Sequence, residues 1–126
     1  MAALSNYHAA TLLNASLRSG TYYLGLFLSE PGVTNNGVEV TGGGYARKQV
    51  TFTAPSLVSG KEQIANNADI DFGTMTADIG TVADWGIYDT KSAGNLLWFG
   101  PFTRARNILN GDAITIKAGA ITCQLS

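Results

Sequence analysis

One cysteine and one histidine are all the thiol and imidazole chemistry this chain carries. Cys123 has no partner for an internal disulfide, so the disulfide framework of a small secreted domain is excluded. It sits in AITCQL, an alternating apolar run that reads as a buried, inert thiol. A zinc centre takes about four Cys, His or carboxylate ligands, which His8 and Cys123 cannot supply. A histidine-based triad has only His8 to draw on, and NYHAAT places it at the edge of a helix. Charge is scarce as well. Only 13% of residues are charged and the net charge is -1, so the basic excess that phosphate contacts demand is missing and nucleic-acid binding is not expected. Two local basic clusters, Arg47-Lys48 and Arg104 to Arg106, read as solvated strand ends. No apolar run approaches the roughly 20 residues of a membrane-spanning helix, and MAALSNYHAATLLNASLRSG lacks the basic start and cleavage site of a signal peptide. The expectation is a chain made in a cytoplasm, with no membrane partner and a surface partly covered by neighbours.

What is abundant is apolar residue, at 45%, and glycine, at 15 positions. Ser5 or Asn6 can cap a helix of about residues 5–19, with Gly20 ending it. Ala9, Leu12, Leu13 and Leu17 form one apolar stripe on that helix. The stripe buries against the chain's own sheet or against a neighbouring subunit, with its own sheet the first expectation. TYYLGLFLS is apolar on both faces and reads as a central strand. EPGVTNNGVEVTGGG follows as a long loop, of a kind that is usually functional or interface-forming. YARKQVTF alternates, with Ala46, Lys48, Val50 and Phe52 on one face and Tyr45, Arg47, Gln49 and Thr51 on the other. APSLVSGKEQIANN is turn-rich, and ADIDFGTM alternates again. TVADWGIYD and NLLWFGPF read as a hairpin around TKSAG, and AITIKAGAITCQL as a second hairpin around KAG. The fold class expected is mainly β: an antiparallel β-sandwich of about seven short strands with one N-terminal α-helix. Residues 1–126 read as one domain.

No motif carries reaction chemistry. A phosphate loop needs a helix after its glycines and a Lys-Ser/Thr at its end, whereas Gly42-Gly43-Gly44 leads into an alternating strand. Those glycines read as a sharp turn. Asp69 and Asp71 share a strand face without calcium-loop spacing and read as a solvated face or salt-bridge set. Tyr22, Tyr23, Trp85, Tyr88, Trp98 and Phe99 could form a carbohydrate platform, but core and interface are the first expectation. No catalytic residue, metal ligand or cofactor site is expected.

Four segments occur in one order: LLNASLRSGTYYLGLFLSEP, GVEVTGGGYARKQVTF, NNADIDFGTMTADIGTVADWGIYDTKSAGNLLWFGPF and NGDAITIKAGAITCQL. Together, from Leu12 to Leu125, they resemble a widespread family of small tailed-bacteriophage virion proteins, labelled tail-fibre-like, minor structural or head-decoration proteins. The resemblance implies a non-enzymatic virion component, made in the cytoplasm of the bacterial host. Decoration proteins form trimers over capsid three-fold positions, which implies a homo-oligomer with the major capsid protein as partner. Tail-fibre-like members have tail proteins as partners and sit near the host-contacting end. A compact chain whose loops EPGVTNNGVEV and APSLVSGKEQ lack aromatics favours a capsid decoration, or cement, protein that bridges capsomers. A tail-fibre or tail-tip component contacting the receptor is the alternative. A glycan-cleaving enzyme built on Asp69 and Asp71 is a remote third.

The interface residues expected on this reading are Leu12, Leu13 and Leu17 on the helix, Val33, Val38 and Val40 in the long loop, and Tyr45 and Arg47 beyond it. If the helix stripe docks on a neighbour, replacing Leu13 and Leu17 by Asp abolishes assembly of a folded protein.

Overall fold

A computed structural model describes residues 2–125. In chain order the elements are α1 (Asn6–Leu17), β1 (Tyr22–Ser29), β2 (Val38–Glu39), β3 (Lys48–Val50), β4 (Ser56–Val58), β5 (Lys61–Ala65), β6 (Ile70–Thr74), β7 (Gly80–Tyr88), β8 (Leu96–Ile108), β9 (Ala113–Ile116) and β10 (Thr122–Leu125). They form antiparallel sheets around one core, a β-sandwich with an N-terminal helix, using ten strands where about seven are legible in the sequence.

The largest sheet has the order β2-β1-β7-β8, and β3 shares with β2 the same edge of β1. Both strands of the β1–β7 pair alternate. Leu24 lies opposite Ile87 and Leu26 opposite Trp85, all buried on the core face. Tyr23, Gly25 and Phe27 lie opposite Tyr88, Gly86 and Asp84 on the other face. A three-stranded sheet, β10-β5-β4, and a two-stranded one, β6-β9, complete the sandwich. They contribute Ile64, Cys123, Phe72 and Ile114 to the same core cluster.

Helix α1 begins at Ser5, whose Oγ accepts from the His8 amide at 3.2 Å, and ends three residues before Gly20. Its buried residues are Ala9, Leu13 and Leu17, spaced one turn apart, and they pack toward β5 and β10. Leu12 falls outside that stripe and is 37% exposed. Leu13 and Leu17 therefore belong to the chain's own core. An Asp there would bury an unpaired charge and unfold the protein rather than probe an interface.

Two strand expectations are corrected. APSLVSGKEQIANN holds a hairpin, because Ser59 and Gly60 both take positive φ (52° and 82°) between Val58 and Lys61, which pair. That two-residue turn has the handedness that strand twist requires. The segment AITIKAGAITCQL is not a hairpin: β9 pairs with β6, and β10 with β5. The cause is Asn66, which is 2% exposed. Its Nδ2 donates to the Lys117 and Ala68 carbonyls at 2.9 and 3.1 Å, and its Oδ1 accepts from the Ile121 amide at 2.8 Å. Its backbone carbonyl accepts from Gly119, and its amide donates to Ile121. This one side chain holds the KAG turn so that the chain crosses from one sheet to the other.

Asn66→Ala leaves buried donors and acceptors unpaired and is expected to cost about 2–3 kcal/mol, measured as a lower denaturant midpoint with an unchanged m-value.

Candidate interaction surfaces

On the face of β1 and β7 turned away from the core, the side chain of Arg47 is held from three directions. Its Nε and Nη2 donate to the Glu39 Oε2 and Oε1 at 2.9 and 2.8 Å, a bidentate pair. Its Nη1 donates to the carbonyls of Ala93 and Thr90 at 2.7 and 3.2 Å, in the β7–β8 loop. Its guanidinium carbon lies 3.6 Å from the centroid of the Tyr88 ring. Arg47 is 7% exposed. The expectation of a solvated strand end is therefore corrected for Arg47, whose guanidinium makes four hydrogen bonds inside the fold. Arg104 and Arg106 are exposed.

Tyr45 completes the cluster. Its hydroxyl donates to Glu39 Oε2 at 2.6 Å and accepts from the Leu26 amide at 2.9 Å. On β1 the β3 pairing ends at Leu24 and the β2 pairing starts at Phe27, so Leu26 falls in the gap between them. The Val40 amide satisfies its carbonyl and Tyr45 satisfies its amide. Room for the Glu39 carboxylate comes from Gly25, where an added Cβ would sit 2.9 Å from Oε2. The triple glycine supplies the path back: Gly42, Gly43 and Gly44 all have positive φ, and the Tyr45 amide donates to the Gly42 carbonyl at 3.0 Å. It is a hinge of fixed geometry that returns Tyr45 and Arg47 to Glu39, and no phosphate cradle.

Of the interface residues expected from sequence, Leu13, Leu17, Val40 and Arg47 are buried within the chain. Tyr45 is half-buried and stacks on Phe72, with centroids 6.0 Å apart. Leu12, Val33 and Val38 face solvent, Val33 at 92% exposure. The loop that carries Val33 is pinned at its tip, where Tyr88 donates its hydroxyl to Asn35 Oδ1 at 2.5 Å.

A second surface runs along β8, whose outer edge pairs with nothing among the described residues. Val82 pairs with Arg106 and Asp84 with Pro101, so Phe102 to Ala105 oppose Ala83 alone in a large bulge. On one side of this bulge, β8 and β9 enclose an apolar cleft of about 150 Å³ with Phe102 and Ile116 in its walls and Arg104 and Arg106 alongside. On the other, β8 and β10 enclose a groove of about 380 Å³. Its lining takes in Trp98, Phe99, Thr122 and Gln124, with the buried Trp85 beneath. Sequence reading noticed these aromatics but assigned them to core or interface. The adjacent pair Trp98-Phe99 on one strand was the available signal, since neighbours on a strand point to opposite faces and cannot both enter one core.

Residues of reactive type are occupied structurally. Cys123 is buried, which pushes its thiol up to about 12. Asp69 accepts from the Ala118 amide at 2.9 Å and pairs with Lys117 at 3.5 Å, and that amide bond holds its carboxyl below the usual range. Asp71 accepts from the Gly73 amide within its own turn. Among the described residues, no group of three or more His, Cys, Asp or Glu side chains is placed to hold a metal ion.

Residues 3–124 match the model of a protein family described as podophage GP4 fiber I protein gp80. No curated protein matches the chain.

Burial, and then the bond to Glu39, raise the Tyr45 hydroxyl well above its ordinary value of about 10. The unfolded chain therefore loses this proton first. The stabilisation is complete below about pH 10 and is lost as pH rises beyond it. Tyr45→Phe is expected to cost about 1–2 kcal/mol at neutral pH and to flatten the alkaline fall in stability, both read from denaturant titrations across pH.

Proposed function

The chain belongs to the podophage GP4 fiber I protein family, and from that premise we propose that it is a non-enzymatic structural component of a phage tail-fibre assembly. The observation that carries this reading is the family match, which spans residues 3–124. It favours the tail-fibre alternative over capsid decoration. The argument for decoration leaned on loops without aromatics, but the half-buried aromatics lie on a strand, at Trp98 and Phe99.

The build of the domain suits a passive part. The Arg47 cluster fastens the long loop and the β7–β8 loop to the central sheet, so both are presented in fixed positions. The free edge of β8 is guarded by Pro101, which has no amide to donate, and by the bulge that follows it. Such an edge does not recruit strands indiscriminately, and assembly then proceeds through side-chain surfaces and exposed loops. The partners on this reading are other tail proteins and further copies of the chain. The absence of an enzymatic role is supported by the placement of its reactive groups: a buried thiol at Cys123 and a solvent-facing imidazole at His8.

Quantitative mass spectrometry of purified particles tests the proposal, with the major capsid protein as the internal scale. A tail-fibre component is expected at a small fraction of the capsid protein's copy number. A ratio approaching that of the capsid protein would contradict it, as would absence from the particles.

A further inference from the structure

Two Asn-Gly pairs occur in the chain, Asn36-Gly37 just before β2 and Asn110-Gly111 in the turn between β8 and β9. An asparagine followed by glycine is open to attack on itself, because no side chain shields the glycine amide. The amide nitrogen attacks the asparagine Cγ, a C–N bond forms, and the side-chain nitrogen leaves as ammonia. Water then opens the resulting succinimide at either carbonyl, giving aspartate or isoaspartate. The reaction consumes only water and needs a base from solvent to take the amide proton. It requires a glycine amide that is not already engaged and a carboxamide free to approach it.

The fold treats the two pairs differently. At Asn110-Gly111 the nucleophile is occupied, since the Gly111 amide donates to the Met75 carbonyl at 2.8 Å. The amides on either side are tied as well, Asn110 to Asp78 Oδ1 at 2.8 Å and Asp112 to the Leu109 carbonyl at 3.0 Å. Reaction there must wait for the turn to open. At Asn36-Gly37 only the flanking amides are tied, Asn36 to the Pro31 carbonyl at 2.8 Å and Val38 to Ser29 Oγ at 2.9 Å. The Gly37 amide between them has no hydrogen-bond partner among the described residues, and neither has the Asn36 carboxamide, which is exposed. Asn35 is not equivalent, because its Oδ1 accepts from Tyr88. Packing requires glycine at position 37: an added Cβ would sit 2.5 Å from the Ser29 carbonyl oxygen and 2.6 Å from that of Glu30.

We propose that Asn36 is the deamidation site of the folded chain, and that the fold protects Asn110. The product places a new carboxylate on the exposed loop that carries Val33, in a chain whose net charge is -1. In the isoaspartyl form the backbone also gains a methylene after residue 36. That insertion falls between the two contacts that fix this loop, the Asn35 bond to Tyr88 and the Glu39 pair with Arg47. The modification is therefore slow, driven by water alone, and directed at the loop that Glu39 fastens. The inference goes beyond the fibre reading and does not rest on it.

Purified protein is incubated at mildly alkaline pH, either folded or in guanidinium chloride, and digested with trypsin against a time-zero sample. Trypsin separates the two sites into residues 19–47 and 107–117. Mass spectrometry follows the exchange of the side-chain amine for hydroxyl, and an isoaspartyl methyltransferase labels the isoaspartyl product. The expected result is conversion at Asn36 at least about tenfold faster than at Asn110 in folded protein, with rates within about threefold of each other in denaturant. Asn36→Gln, whose longer side chain closes a larger ring more slowly, is expected to remove the signal from residues 19–47 while Tm stays at the parent value. Conversion at Asn110 as fast as at Asn36 in folded protein would overturn the proposal. So would an Asn36 that stays intact in folded protein while the denatured chain reacts, or a signal that fragmentation places at Asn35. A ratio that is the same in denaturant would trace the difference to local sequence rather than to the fold, and likewise overturn it.

Discussion

The bidentate pair between Arg47 and Glu39 is the constraint on which the rest of this face of the structure depends. It brings together a two-residue strand, a three-residue strand and a hairpin loop, none of which has enough backbone pairing to hold its place alone. A nearly buried guanidinium is costly unless it is well paired, and here a carboxylate, two carbonyls and an aromatic face surround it. The arrangement in turn dictates residues elsewhere. Gly25 lies opposite Gly86 because side chains there would collide with the Glu39 carboxylate and the Phe27 ring. The three consecutive glycines exist to bring the chain back on itself within a few residues.

This frame lets a small domain carry two unlike surfaces. On one side, pinned loops present isolated apolar residues, Val33 and Val38, at fixed positions. On the other, β8 leaves the ladder at Pro101, and two hollows open beside it: an apolar cleft flanked by Arg104 and Arg106, and a groove toward β10 without charged side chains. An uninterrupted edge of thirteen residues would invite sheet-to-sheet association. The proline and the bulge turn it instead into a surface read through side chains, which suits a part that must meet particular neighbours in a virion.

Much of the fold was legible because it rests on local patterns. The alternation of TVADWGIYD and NLLWFGPF gave the β7–β8 hairpin, and the doubly apolar TYYLGLFLS gave the central strand. The helix was legible from spacing and from Ser5, although Leu12 shares the spacing without sharing the burial. What was not legible depends on contacts far apart in sequence. Nothing local says that Asn66 will grip the turn after Lys117 and send β10 into a different sheet. Nothing local says that Arg47, beside an exposed-looking Lys48, will find carbonyls 43 and 46 residues away. For the interaction surfaces, Leu12 was named for the helix stripe and Val33 and Val38 for the long loop, together with residues that prove buried, while the groove along β8 needed the facing strand β10, which the expected hairpin had placed elsewhere.

The account turns on whether Arg47 and Glu39 act as one unit that secures the loops. A double-mutant cycle of Glu39→Gln, Arg47→Met and the combined variant, followed by denaturant unfolding, measures this directly. The account predicts strong coupling, about 2–3 kcal/mol, with the double variant nearly as stable as the better single one, because neither partner is left alone in the interior. Additive effects within about 0.5 kcal/mol would contradict it, since the pair would then contribute nothing that its members do not contribute separately.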